Sequence, residues 1–198
     1  MKKIFETYGF LGVIQLFFFK IRTILLFPSA KIVRFPIRIR GRKFMQVGKN
    51  FTTGFNCRFD AFPVNTKHTI IKIGNNVQIN DYVHIAAIEN IEIRDNVLIA
   101  SKVFITDHNH GNYSGNNQDS PESIPSERKL YASPVIIEEN VWLGEYVSIL
   151  PGVTIGKGSI IGSMSLVNTN IPPFCIAVGS PAKVIKRYNF ITSTWDKI

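Results

Sequence analysis

Cysteine is scarce in this chain: Cys57 and Cys175 are the two present among 198 residues. They stand far apart and form no CxxC pair, which excludes a disulfide framework and a zinc-finger spacing and suits a reducing compartment. No P-loop and no dinucleotide-binding glycine pattern occurs. The longest uninterrupted apolar run, Tyr8 to Phe19, is too short to span a bilayer, and Lys20 and Arg22 break the apolar residues beyond it. Lys2 and Lys3 precede that run as in a secretory signal, but no small-residue cleavage site comes after it. Acidic charge is also in deficit, with 14 Asp and Glu against 23 Lys and Arg, a net charge of +9.

The deficit is local. Residues 1–43 hold Lys2, Lys3, Lys20, Arg22, Lys31, Arg34, Arg38, Arg40, Arg42 and Lys43 against Glu6 alone, so the rest of the chain is balanced. Basic charge gathered beside an apolar run, not spread over a grooved face, argues against a nucleic-acid binder. The run predicts one helix from Ile4 to about Leu26. It has two readings: a helix packed on the body or on a sister subunit, or a helix lying on a membrane whose anionic headgroups meet the lysines and arginines.

What the sequence does have is a period of six. From Ile137 it reads IEENVW, LGEYVS, ILPGVT, IGKGSI, IGSMSL, so that Ile137, Leu143, Ile149, Ile155, Ile161 and Val167 recur without a slip. Small or β-branched residues come four places later, at Val141, Val147, Val153, Ser159 and Ser165, and Gly144, Gly156 and Gly162 sit directly after the aliphatic. An earlier block gives Ile73, Ile79, Ile85 and Ile91; the register then shifts by two to Ile93, Ile99 and Ile105. A weaker version starts at Val47. Six is neither a helical nor an alternating period; it fits short strands joined at tight corners, each sending one aliphatic inward. The prediction is an all-β solenoid of stacked parallel strands.

The repeat, with the stretch "NVWLGEYVSILPGVTIGKGSIIGSMSLVNTNIPPFCIAVGSPAKVIKRY", resembles the hexapeptide-repeat acyltransferases from about Val47 to Tyr188. "INDYVHIAA" followed by "SKVFITDHNHG" is most similar to the O-acetyltransferases of bacterial surface-polysaccharide synthesis, such as lipopolysaccharide O-antigen. The resemblance implies a left-handed parallel β-helix with an N-terminal helix, one long inserted loop and a short C-terminal tail. It also implies acetyl-coenzyme A as donor, a saccharide or lipid-linked polysaccharide precursor as acceptor, and a homotrimer with active sites between subunits. The expected organisation is an N-terminal segment 1–44, a solenoid 45–170 with the loop at about 109–133, and a tail 171–198. The expected location is cytoplasmic, at the inner face of the cytoplasmic membrane if the helix binds lipid.

The repeat breaks at "VFITDHNHGNYSG". If strand alternation survives the corner, Ile105 points inward while Thr106 and His108 face outward, beside an excursion of about 25 residues that reads as a lid or binding loop. Acyl transfer to a hydroxyl needs a base, and histidine ordinarily titrates near neutral pH. The resemblance gives the catalytic role to His108, favoured over His110, which either orients the acceptor or is itself the base. Asp107 reads either as a partner for an imidazole or as a corner cap. His84 is expected to line the same cleft, and Asn80 matches an acceptor-contacting position. For the donor, the resemblance points to Trp142, Gly144, Gly162 and Ser163 along a pantetheine groove, with Lys183 and Lys186 toward the coenzyme's phosphates. Asn168-Thr169 replaces the Thr-Lys pair many relatives carry near the adenine. No metal is expected. Two rivals stand beside this reading: a zinc enzyme like the γ-type carbonic anhydrases using His84, His108 and His110, and a non-catalytic solenoid for binding or assembly.

Overall fold

The structure is a computed structural model that describes residues 2–64 and 68–198. The six-residue period becomes a coil of three short strands, and each strand stacks in parallel on its counterpart one coil away. Three faces result. The histidine face stacks Arg38–Arg40, Arg58–Ala61, His84–Ala87, Phe104–Thr106, Ser148–Ile149 and Leu166–Val167. The tryptophan face stacks Thr52–Thr53, Gln78–Ile79, Leu98–Ile99, Trp142–Leu143, Ile160–Ile161 and Cys175–Gly179, and continues into the antiparallel strands Ala182–Asn189 and Thr194–Lys197. The charged face stacks Met45–Val47, Ile71–Ile73, Ile91–Ile93, Val135–Ile137 and Thr154–Ile155.

The register explains why the repeated residues are aliphatic. Phe59, Ile85, Ile105, Ile149 and Val167 lie over one another in successive coils of the histidine face, and Ile79, Ile99, Leu143, Ile161 and Ala177 do the same on the tryptophan face. All of these are buried. No single two- or three-residue strand removes enough apolar surface from water to be stable; a column of them does. The residues four places after each aliphatic fill the corners: Val77, Val83, Val97, Val103, Val141, Val147 and Val153 are all buried.

The corners need a left-handed residue. Asn50, Asn76, Asn96 and Asn140 supply it at one edge, and Tyr82, Lys102, Tyr146 and Met164 at the next. Asparagine tolerates that conformation because its short side chain bonds locally. Here the amides also stack, Asn50 donating to Asn76 and Asn76 to Asn96, each at 3.0 Å. At Gly156 the demand is steric: a Cβ would stand 2.4 Å from the nitrogen of Pro173, so the "IPP" exit packs directly on that corner.

Two boundaries and the continuity of the helix differ from the sequence reading. The coil starts inside the segment assigned to the N-terminal unit, since Arg38–Arg40 already pairs with Arg58–Asp60 and Ile32 bridges Thr52. It ends beyond 170, because Cys175–Gly179 makes one more parallel rung on Ile160–Ile161. The helix Lys2–Leu26 is not one continuous element: Gly9 (φ 65°, ψ 177°) interrupts it, a conformation open to glycine and costly to other residues.

The helix docks along one stripe. Phe19 packs on the rings of Phe35 and Phe55, and the buried Thr23 hydroxyl accepts from the Val33 backbone N–H at 2.8 Å. Much of the basic charge is spent on this joint. Arg42 donates to the carbonyls of Leu26 and Met45, and Lys20 to those of Ala30 and Lys31. Arg22 lies over the Phe35 ring and Arg34 donates to Thr53 O. The opposite stripe, which includes Phe10, Ile14, Phe17, Phe18, Ile21, Ile24 and Leu25, is apolar and exposed.

Candidate active site

On the histidine face alternation places Arg58 and Asp60, His84 and Ala86, and Phe104 and Thr106 outward around the buried Phe59, Ile85 and Ile105. The chain then leaves the coil. Its excursion opens as an antiparallel ribbon, His108–His110 against Leu130–Ala132, so the loop expected at 109–133 already begins as a strand at His108. Ribbon and face together wall a cavity of about 660 Å³, lined among others by Arg40, Arg58, Asp60, His84, Thr106, His108 and His110. The sequence places His84, His108 and His110 in one cleft, and they share this one.

The alternation does not pass the corner unchanged, because Asp107 turns inward and is completely buried. Its carboxylate accepts the backbone N–H groups of Ile88, Glu89 and Asn90 at 2.8–3.1 Å, and His108 Nδ1 lies 2.9 Å from Oδ1. One side chain therefore fills both roles open to Asp107, imidazole partner and corner cap. Its neighbours in these contacts are all donors, so the imidazole joins as a donor through Nδ1–H, and Nε2 is left with its lone pair for the cavity. The Thr106 hydroxyl, 3.2 Å from the same Nδ1, also accepts the His108 backbone N–H and donates to its carbonyl, fixing ring and backbone together. His110, one step up the same side of the ribbon, is exposed and has no carboxylate partner among the described residues.

A second constellation, which the sequence does not reveal, lines the cavity. Asp60 takes Arg40 Nε and Nη2 at 2.6 and 2.8 Å, Arg58 Nε at 2.6 Å and His84 Nε2 at 3.3 Å. Burial alone would raise this carboxyl, but hydrogen bonds from Arg40 and His84 and the charges of Arg58 and Arg40 hold it at about 2. His84 is lowered as well: burial is the main cause, the Asp60 bond opposes it, and the two arginine charges add to the lowering. The signal lies in "RIR" and "RFD", where charged residues flank the inward Ile39 and Phe59. Starting the repeat at Val47 puts the first of these triplets outside the coil.

The residues expected to hold the donor gather on the other face. Trp142 lies in one outward column with Ile160, Ile176 and Lys186, and Lys183 pairs with Val178, whose side chain packs on Gly162. Trp142 and Ser163 are exposed. Gly144 has a further reason to be glycine, since a Cβ would stand 2.6 Å from the backbone nitrogen of Ser163 in the next coil. Asn80 is on this face too. It borders a cleft between the coil and the helix, with Tyr8, Leu16 and Arg34, and not the histidine cavity of the same chain. The zinc alternative is not favoured: no group of three or more His, Cys, Asp or Glu side chains among the described residues is arranged to hold a metal.

Comparison with known proteins identifies the coil. Residues 134–169 match the family described as bacterial transferase hexapeptide (six repeats). WbbJ of Escherichia coli K12, provisionally named a lipopolysaccharide biosynthesis O-acetyl transferase, is 44% identical over 196 residues, covering 98% of each chain. The galactoside O-acetyltransferase of the same strain is 37% identical over 119 residues, 60% of this chain and 55% of its own. Among solved structures, galactoside acetyltransferase in complex with coenzyme A superposes with a TM-score of 0.52 at 29% identity, covering 81% of this chain and 63% of that one. A point mutant of the N-acyltransferase AntD of Bacillus cereus, solved with dTDP and coenzyme A, gives 0.68 at 22% identity, covering 87% and 90%, which speaks to the fold. The left-handed sense of the coil is the one these neighbours share.

Proposed function

The chain belongs to the bacterial hexapeptide-repeat transferases and is an acyl-coenzyme A-dependent acetyltransferase, and we propose that it moves an acetyl group from acetyl-coenzyme A to a hydroxyl of a saccharide, with His108 as general base. The observation that carries this is the buried Asp107 carboxylate 2.9 Å from His108 Nδ1, which leaves Nε2 to the cavity. The acceptor oxygen attacks the thioester carbonyl as Nε2 takes its proton; the tetrahedral intermediate collapses, the coenzyme A sulfur leaves, and the imidazolium returns the proton to it. His110 and His84 are placed to orient the acceptor.

Donor and base stand on different faces of one chain, so a single subunit does not bring them together. We take the working unit to be a homotrimer in which the tryptophan face of one subunit, with Trp142, Gly144, Gly162, Ser163, Lys183 and Lys186, meets the histidine cavity of the next, and Asn80 comes with that face. The exposed Trp142 and Leu98 suit such a contact. The third face does not, because Arg94 there is paired with Glu92 and Glu138 and solvated. The test is turnover of acetyl-coenzyme A against a panel of saccharides, with a coenzyme A soak to locate the donor. Transfer to a saccharide hydroxyl with coenzyme A beside Trp142 and Ser163 supports the reading; coenzyme A bound elsewhere, or no transfer, overturns it.

The helix gives the reading a location. By length and composition Ile4–Leu26 could cross a bilayer, yet one stripe is committed to the coil through Phe19 and Thr23. A helix apolar on both sides, with protein on one, is best satisfied by lipid on the other. We place it at the inner face of the cytoplasmic membrane, with the stripe from Phe10 to Leu25 in the interface and Lys31, Arg38 and Lys43 near anionic headgroups. Each such residue contributes about 1 kcal/mol there. Vesicle flotation is expected to show binding to anionic vesicles that weakens with salt and disappears when residues 1–30 are deleted. Equal recovery of full-length and truncated protein in the unbound fraction would make the helix a packing element only.

A further inference from the structure

We infer that Arg58 and Arg40 form a diphosphate-binding subsite at the end of the cavity away from His108, so that the acceptor is a saccharide carried on a diphosphate. This rests on the acetyl-transfer reading and narrows its acceptor. The first observation is stoichiometry. Arg40 and Arg58 come from two neighbouring rungs of the histidine face, and Asp60 is the one carboxylate they meet there among the described residues. Like charges on adjacent strands repel, so an excess of guanidinium at the rim of a cavity is costly unless an anion completes it.

The second observation is what the carboxylate does to the arginines. Asp60 is buried, and it engages Arg40 through Nε and Nη2 but Arg58 through Nε alone. Among the described residues Nη1 and Nη2 of Arg58 and Nη1 of Arg40 make no hydrogen bond, and both side chains line the cavity. The guanidiniums are thus already oriented before a ligand arrives, which removes most of the ordering cost of binding. Arg40 is further fixed over the ring of Phe62, 4.7 Å from its centroid.

The third observation is spacing. The two arginines stand on successive strands, about 4.8 Å apart along the stack, so they present two separate forks. A diphosphate has non-bridging oxygens on two phosphorus atoms and can occupy both, whereas a single carboxylate fills one. His84, stacked on Phe104 with a ring separation of 5.2 Å, then lies between the subsite and His108, where the sugar would sit.

Diphosphate has two sources, a nucleotide or a prenyl lipid, and the test separates them. Wild-type protein saturated with coenzyme A, so that the donor's own phosphate contacts are filled, is titrated with uridine diphosphate and separately with farnesyl diphosphate. At least one should bind, more weakly as salt rises, and Arg58→Gln should weaken it by about ten- to a hundredfold with coenzyme A affinity unchanged. Arg58→Lys, which keeps the charge and loses the fork, should fall between the two and serves if Arg58→Gln does not fold. Binding of the nucleotide names a sugar nucleotide as acceptor, and binding of the prenyl compound names a lipid-linked one. No binding of either, or binding indifferent to both substitutions, overturns the subsite. If coenzyme A itself fails to bind, it is the acetyl-transfer reading that fails.

Discussion

His108→Ala should lower acetyl transfer by about 10²–10⁴-fold, the usual worth of a general base, while the protein stays folded. The stability cost should be small because the side chain is partly exposed and its ring bonds to Asp107 and the Thr106 hydroxyl alone among the described residues. What it leaves behind is a carboxylate still bound by the N–H groups of Ile88, Glu89 and Asn90. The KM for acetyl-coenzyme A should hardly move, since the residues proposed to hold the donor stand on the other face. His110→Ala should cost less, as its ring is exposed and no carboxylate among the described residues orients it. Steady-state kinetics on the two variants settle the order. Near-normal turnover in His108→Ala with an inactive His110→Ala would reverse the roles, and activity retained in both would remove histidine catalysis altogether.

How far the site can be read from the sequence depends on which residues obey the period. Ile85, Ile105 and Ile149 have to be aliphatic because they fill one buried column, and that regularity is visible in the bare order of residues. His108 is legible because the period stops beside it. Arg58 and Asp60 are not: they face outward, where the coil imposes no residue type, and their partner Arg40 comes from a rung whose inward residue, Ile39, is only half-buried. The charge of residues 1–43 reads as one feature, yet the fold divides it. Lys20, Arg22, Arg34 and Arg42 fasten the helix, while Arg40 enters the cavity. Trp142 and Lys186 stand 44 residues apart in sequence and share a column only because Cys175–Gly179 adds a rung and the chain folds back on it as an antiparallel strand. A hexapeptide count that ends at Val167 contains no trace of that reversal.

Asp107→Asn should be nearly as damaging as loss of the histidine, and the reason lies in the two-residue slip between Ile91 and Ile93. The slip lengthens the corner after His84–Ala87, and the extra backbone would carry unsatisfied N–H groups. Asp107, one coil away, accepts those of Ile88, Glu89 and Asn90 and holds His108 Nδ1 with the same carboxylate. The irregularity in the repeat and the orientation of the His108 ring are therefore one structure. Asparagine keeps the shape but puts an NH₂ group against donors. Either a backbone N–H goes unpaired, at about 1–3 kcal/mol, or the imidazole changes tautomer and presents Nε2–H to the acceptor, which cannot take a proton. The expected result is a lower melting temperature and a fall in kcat of about 10²–10⁴-fold, with the KM for acetyl-coenzyme A unchanged. Because a purely structural role would bring the same stability loss, the deciding measurement is the double variant. If Asp107 acts through His108, Asp107→Asn in the His108→Ala background should cost little further activity while still lowering the melting temperature. Losses in rate that multiply would show that Asp107 supports the corner without governing the base.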